Sequence, residues 1–182
     1  MQLDAQVKQS IETLSTSISI KGPFETGHHI NFIVSGLCDN DEQLEQLCWI
    51  LLSFIGEICT KDLEIISVID AGLGKGFDLK TEICKAMKNN WLIPANEIDI
   101  HEREDKITKN RNPLIFELIA HTLLILQKEN SSLSFAGAVP KQIRPPHINA
   151  NEPGIDLIAI VEKDEILPLI GEMKAYENDP GN

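Results

Sequence analysis

Leu3, Val7, Ile11 and Leu14 recur at three- and four-residue steps, which predicts an amphipathic surface helix over 3–16. The branched, apolar HHINFIVSGL (28–37) predicts a strand ended by the turn-forming CDND. Asp39, Asn40 or Asp41 can then cap a helix over EQLEQLCWILLSFIGEIC, which is apolar enough to be largely buried. LEIISVID (63–70) reads as another strand, followed by AGLGKGFD and a helical TEICKAMKNNW. From Pro94 to Asn112 the pattern gives way to charge, EIDIHEREDKITKNRN. This divides the chain into an N-terminal α/β region (1–93), a charged linker (94–112) and a C-terminal region (113–182).

NPLIFELIAHTLLILQKEN (112–130) opens with Asn112 in a capping position and Pro113 in the first turn. From Leu114 to Leu126 it is apolar almost all round, so the helix should be buried on several sides. Glu117 and His121 interrupt that pattern. Four residues apart, they lie about 40° from one another around the axis and share a face. An isolated buried carboxylate is costly, so Glu117 must be paired, protonated or bound to a cation. The simplest arrangement is a Glu–His hydrogen bond or the edge of a water-filled pocket, and the alternative is that Glu117 is aimed at a site.

The stretch FAGAVPKQIRPPHINANEPG (135–154) reads as an extended, exposed connection, and a hairpin follows it: a strand from Ile155 to Val161, the turn EKDE, and a strand from Ile166 to Ala175. Alternation places Glu172 and Lys174 on one face. Asp156 joins them only in the right register. Pairing Val161 with Ile166 would set Asp156 opposite Gly171, whereas an odd-length loop pairing Glu162 with Ile166, or a bulge near Pro168, brings it to the Glu172 face. In that arrangement two carboxylates and an ammonium meet, with Glu117 approaching from a packed helix. Hard cations such as Mg²⁺ take one or two carboxylates plus water and phosphate oxygens, and Asp156 and Glu172 suit that need. Lys174 could orient an attacking water or stabilise developing charge. The plain structural reading is a surface hairpin with an ExK salt bridge.

Composition changes this picture in two places. Sixteen basic against 28 acidic residues leave a formal net charge of -12, so a large nucleic-acid footprint from this chain alone is disfavoured. Any action on DNA should draw on a partner for grip. The four cysteines (Cys38, Cys48, Cys59, Cys84) form no CxxC pairs and are expected to be buried free thiols in a reducing compartment. With no signal-peptide pattern and no apolar run of about 20 residues, the chain is expected to be soluble and cytoplasmic.

Two other motifs carry less. DAGLGKGFD sits where phosphate-cradling loops sit, but it lacks both the GxxxxGK[ST] and GxGxxG spacings, and Asp70 and Asp78 flank it with negative charge. A tight connection is the better reading, and a nucleotide-binding protein is the weaker one. His28 and His29, adjacent on a strand, point to opposite faces and cannot aim at one ion.

Glu117 on a helix, Asp156 after Pro-Gly-Ile, and Glu172-Met-Lys174 together resemble the PD-(D/E)xK nuclease superfamily over roughly residues 112–177. More narrowly, FELIAHTLL, VPKQIRPP, NEPGIDLIAI and LIGEMKAYEN look like the HamA-type nuclease subunit of bacterial Hachiman anti-phage defence systems. The resemblance implies an α/β fold whose restriction-endonuclease-like core is a helix followed by a strand hairpin. It implies a metal-dependent DNA endonuclease using Mg²⁺ or Mn²⁺, with DNA as substrate and a helicase subunit of the same defence system as partner. Glu117 would then be the helical acid assisting metal or water binding, Asp156 and Glu172 the metal ligands, and Lys174 the catalytic lysine. Such a core normally continues with a further helix and strand, so it is expected to be incomplete at the C-terminus here. The competing expectation is a catalytically inactive nuclease-like module that docks on and regulates a larger partner.

Overall fold

The computed structural model describes residues 2–26, 29–72, 104, 112–135, 137–144 and 156–171. Helix α1 (Gln2–Ser17) leads into a hairpin of β1 (Ser19–Thr26) and β2 (His29–Ser35), followed by the long helix α2 (Asp41–Gly72). Helix α3 (Asn112–Glu129) and a short 3-10 turn (Ser131–Leu133) precede the strands β3 (Val139–Ile143), β4 (Leu157–Glu162) and β5 (Ile166–Gly171). Both sheets are antiparallel, one with β1 beside β2 and the other in the order β3-β4-β5. Helices with separate small antiparallel sheets make a mixed, α+β arrangement.

Helix α1 spans the predicted 3–16 segment, and β2 falls within the predicted strand at 28–37. Asn40 is the residue that caps α2: its Oδ1 accepts from Gln43 N at 2.9 Å, while Gln43 Oε1 accepts from Asp39 N at 3.0 Å. The first bond satisfies an amide donor of the first turn, and the second ties the residue before the cap to the helix. The expected strand at 63–70 is instead the second half of α2, which runs without interruption for 32 residues. LEIISVID is a short apolar run that periodicity alone cannot assign, and no Pro or Gly separates it from the preceding helix. Strand β1 has no counterpart in the sequence reading, because Gly22-Pro23 breaks its alternation. The ladder absorbs the pair as a bulge, shifting register between Lys21↔Ile33 and Phe24↔Asn31. The 135–154 segment, read as a loop, contains β3, with Pro140 on an edge strand where its missing N–H costs no ladder bond.

Helix α3 packs against α1, α2, β3 and β4. On one side Leu126, with Leu133 just beyond the helix, joins Leu14, Ile18, Leu47 and Ile50 from α1, α2 and their surroundings. On the other, Ala120 and Leu124 meet Leu157 and Ala159, with Ile143 and Leu169 alongside. Two buried sides explain why the helix is apolar almost all round. Polar bonds tie the layers together: Ser10 Oγ donates to Gln46 Oε1 at 2.7 Å between α1 and α2, and Asn130 Nδ2 donates to Ser15 O at 2.8 Å between the end of α3 and α1. Thus α1 and α2 share a core with the helix that opens the C-terminal region. The charged segment 94–112 lies outside the described residues apart from Glu104 and Asn112.

Cys38 and Cys48 are free but exposed, contrary to the expectation of burial. Cys38 falls in the turn after β2, and Cys48 follows the core residue Leu47 on α2, so helical rotation carries it off the buried face. Cys59 lies where side chains are outside the described set, as does Cys84. No helix among the described residues is long and apolar enough to cross a membrane.

Candidate functional site

The β4–β5 hairpin closes with Glu162 opposite Ile166 across the loop Lys163–Glu165, and the ladder runs without a bulge to Leu157↔Gly171. This odd-length loop is the register that Asp156 requires to share a face with position 172. Glu172 and Lys174 themselves lie outside the described residues. Alternation turns Leu157, Ala159 and Val161 inward, while Ile160 is exposed and its diagonal neighbours on β5, Ile166 and Ile170, are 71% and 61% exposed. Asp156 sits half-buried in a bend immediately before β4, where strand alternation does not dictate the direction of its side chain.

Glu117 is buried within α3 at 6% exposure, and His121, one turn later, is at 1%. They share a face, as their spacing predicts. The direct contact, however, is to the backbone: His121 Nδ1 lies 3.0 Å from the carbonyl oxygen of Glu117. The other ring nitrogen, Nε2, lies 3.1 Å from the carbonyl oxygen of Arg144, the first residue beyond β3. Both acceptors are carbonyls, so each contact is a bond when the nitrogen concerned carries its proton. Arg144 N–H in turn donates to Ile158 O at 2.9 Å.

This chain of bonds fixes the end of the sheet at which α3 is anchored. β3 finishes, and β4 begins, beside His121. Glu117 precedes His121 by one turn of α3, and Asp156 precedes Ile158 by two residues. Neither carboxylate is without an interaction partner. Arg144 was not singled out from the sequence, and only its position in the ladder reveals that its backbone joins helix to sheet. Nothing in residue type signals a backbone carbonyl of this kind.

Glu117 and Asp156 offer carboxylate oxygens, the kind of donor that hard divalent cations prefer. The exposed thiols of Cys38 and Cys48 belong to the β2–α2 connection and α2, in the helical half of the molecule. Among the described residues, no group of three or more His, Cys, Asp or Glu side chains is arranged to hold an ion. The set expected from sequence includes Glu172, outside those residues, so its two described members are Glu117 and Asp156. The glycine-rich loop at 73–77 also lies outside the described residues, as does His28, while His29 starts β2 opposite Thr26. No family model, curated protein or solved structure matches this chain.

Proposed function

We propose that this chain is a metal-dependent DNA endonuclease subunit of a bacterial anti-phage defence complex, working on a restriction-endonuclease-like core under the control of a helicase partner. The observation that carries the reading is the Glu162↔Ile166 closure, the register that the motif demands if Asp156 is to share a face with position 172.

In this reading Asp156, Glu172 and Glu117 hold Mg²⁺ or Mn²⁺. Inner-face positions of β4 are filled by Leu157, Ala159 and Val161, so Glu117 contributes around the end of the sheet rather than across its face. The bound ion supplies charge stabilisation for an in-line displacement at phosphorus. Lys174 orients the attacking water or stabilises the charge that accumulates on the phosphate oxygens. Glu117, in its buried setting, helps to hold the metal or that water in place. With a net charge of -12, the chain relies on the helicase for most of the grip on DNA.

The test is Mg²⁺-dependent cleavage by the full-length chain with its partner. Asp156→Ala, Glu172→Ala and Lys174→Ala should each abolish cleavage while leaving circular dichroism and complex formation intact. Unchanged cleavage by Glu172→Ala ends the proposal. A second reading, an inactive nuclease-like module that docks on a larger machine, draws on the exposed Ile160, Ile166 and Ile170 of the sheet's outer face. Stable partner binding with no cleavage by the wild type in either metal would favour it.

A further inference from the structure

We infer that His121 is a positioning residue, which locks the Glu117 end of α3 to the Asp156 end of the sheet; the inference rests on the nuclease reading above. The ring is almost wholly enclosed, at 1% exposure, and its two nitrogens approach carbonyls of two different elements. Nδ1 against Glu117 O, at 3.0 Å, fixes the ring's rotation on its own helix. That leaves Nε2 directed outward, 3.1 Å from Arg144 O.

Arg144 is the joint on the other side. Its N–H is committed to Ile158 O at 2.9 Å and its carbonyl to His121, so both of its backbone groups are used, one toward the sheet and one toward the helix. The Phe54 ring stands edge-on to the imidazole, 6.3 Å between centroids, and restricts the ring from α2. With the proton on Nε2, the imidazole donates to Arg144 O, and Arg144 N–H carries the link on to Ile158 O. Two carboxylates from different elements can share an ion only if those elements are held in register to a fraction of an ångström. His121 supplies the cross-link at the place where that register matters.

The two contacts can be separated. Glutamine carries its amide nitrogen at about the ε position and can keep the Arg144 link, whereas asparagine reaches only the Glu117 carbonyl. Full-length His121→Gln should bind Mn²⁺, followed by isothermal titration, within about threefold of wild type. His121→Asn should bind roughly tenfold or more weakly, the scale of loss found for residues that orient metal ligands. Its Mg²⁺ requirement for half-maximal cleavage should rise in parallel, with circular dichroism confirming a folded protein at the assay temperature. Equal Mn²⁺ affinity for the folded Gln and Asn variants overturns the positioning role. Should the Asn variant not fold, His121→Leu takes its place in the comparison, and with neither folded, wild-type Mn²⁺ affinity for Arg144→Gly, which loosens the same joint from the other side, overturns it. Asp156→Ala is measured alongside: loss of Mn²⁺ binding there, with wild-type binding by His121→Asn, overturns the inference alone. Unchanged binding by Asp156→Ala overturns the nuclease reading and the inference together.

Discussion

Glu162 stands opposite Ile166, and this one pairing decides which side chains of β4 and β5 share a face. Deleting Asp164 would leave two residues, Lys163 and Glu165, to close the turn. Two-residue hairpin turns want Gly, Asn or Asp in left-handed conformations, which neither residue favours. The alternative is a one-residue slip, which would take Leu169 off the face that packs near Ala159 and Leu157. The deletion should therefore cost about 2 kcal/mol or more, near the upper end of the usual range for single changes. Urea denaturation of the deletion variant beside wild type measures it, and an unshifted midpoint would count against this register.

Gly36 is fixed by its surroundings as well as by its backbone. Its φ is +82°, and a Cβ there would stand 2.5 Å from the Ser17 carbonyl oxygen. The obstacle is backbone, which cannot swing aside. Gly36→Ala should destabilise by more than about 1–2 kcal/mol, the strain of the left-handed conformation alone, with the clash added to it. Gly56, where an added Cβ meets nothing within 4 Å, is the control. Gly56→Ala, in the middle of α2, should gain about 0.5–1 kcal/mol, so the two alanine substitutions should move the melting temperature in opposite directions.

Gln127 is buried in α3 with an Nε2 that has no hydrogen-bond partner. A buried donor left unmade costs on the order of 1–3 kcal/mol. Gln127→Met keeps the unbranched shape and removes the donor, so the variant should be about 1 kcal/mol more stable by denaturant titration. A loss of stability would mean that the amide makes a bond in solution.

Asn40 carries the start of α2 through its bond to Gln43 N. Asn40→Ala should cost about 1 kcal/mol, within the range for removing a side-chain cap, and Asn40→Ser should recover most of it. Chemical denaturation of the three proteins side by side would show whether Asn40 holds that role or whether Asp39 or Asp41 can replace it.

The helices at 3–16 and 112–130 and the strand at 28–37 were legible because their apolar residues recur at one clear period. Where the period was ambiguous, legibility failed. LEIISVID could have been a strand, and it is helical because no Pro or Gly stands between Gly56 and Gly72 to end α2. β1 was hidden by Gly22-Pro23, a pair that ordinarily marks a turn and here occupies a bulge. β3 was hidden by the same kind of punctuation, since Pro140 reads as loop until an edge strand accommodates it. At the candidate site, the spacing of Glu117 and His121 gave their shared face, and counting along the hairpin gave the two possible registers. The bond from His121 to Arg144 could not be read from sequence, because its acceptor is a carbonyl that every residue possesses.

The double burial of α3 bears on how the protein comes apart. Leu126 belongs to the cluster shared with α1 and α2, and Leu124 to the cluster shared with the sheet, only two residues away on the same rigid helix. Neither half can shed α3 without exposing an apolar surface of the other, so opening of the helical half and opening of the sheet are coupled. In amide hydrogen exchange the centre of α3 should be the last region to exchange, and it should do so only through global unfolding. A substitution such as Leu14→Ala, in the helical half, should then lower protection at Ala159 as well as in α1, which makes α3 the common partition wall of a single cooperative unit.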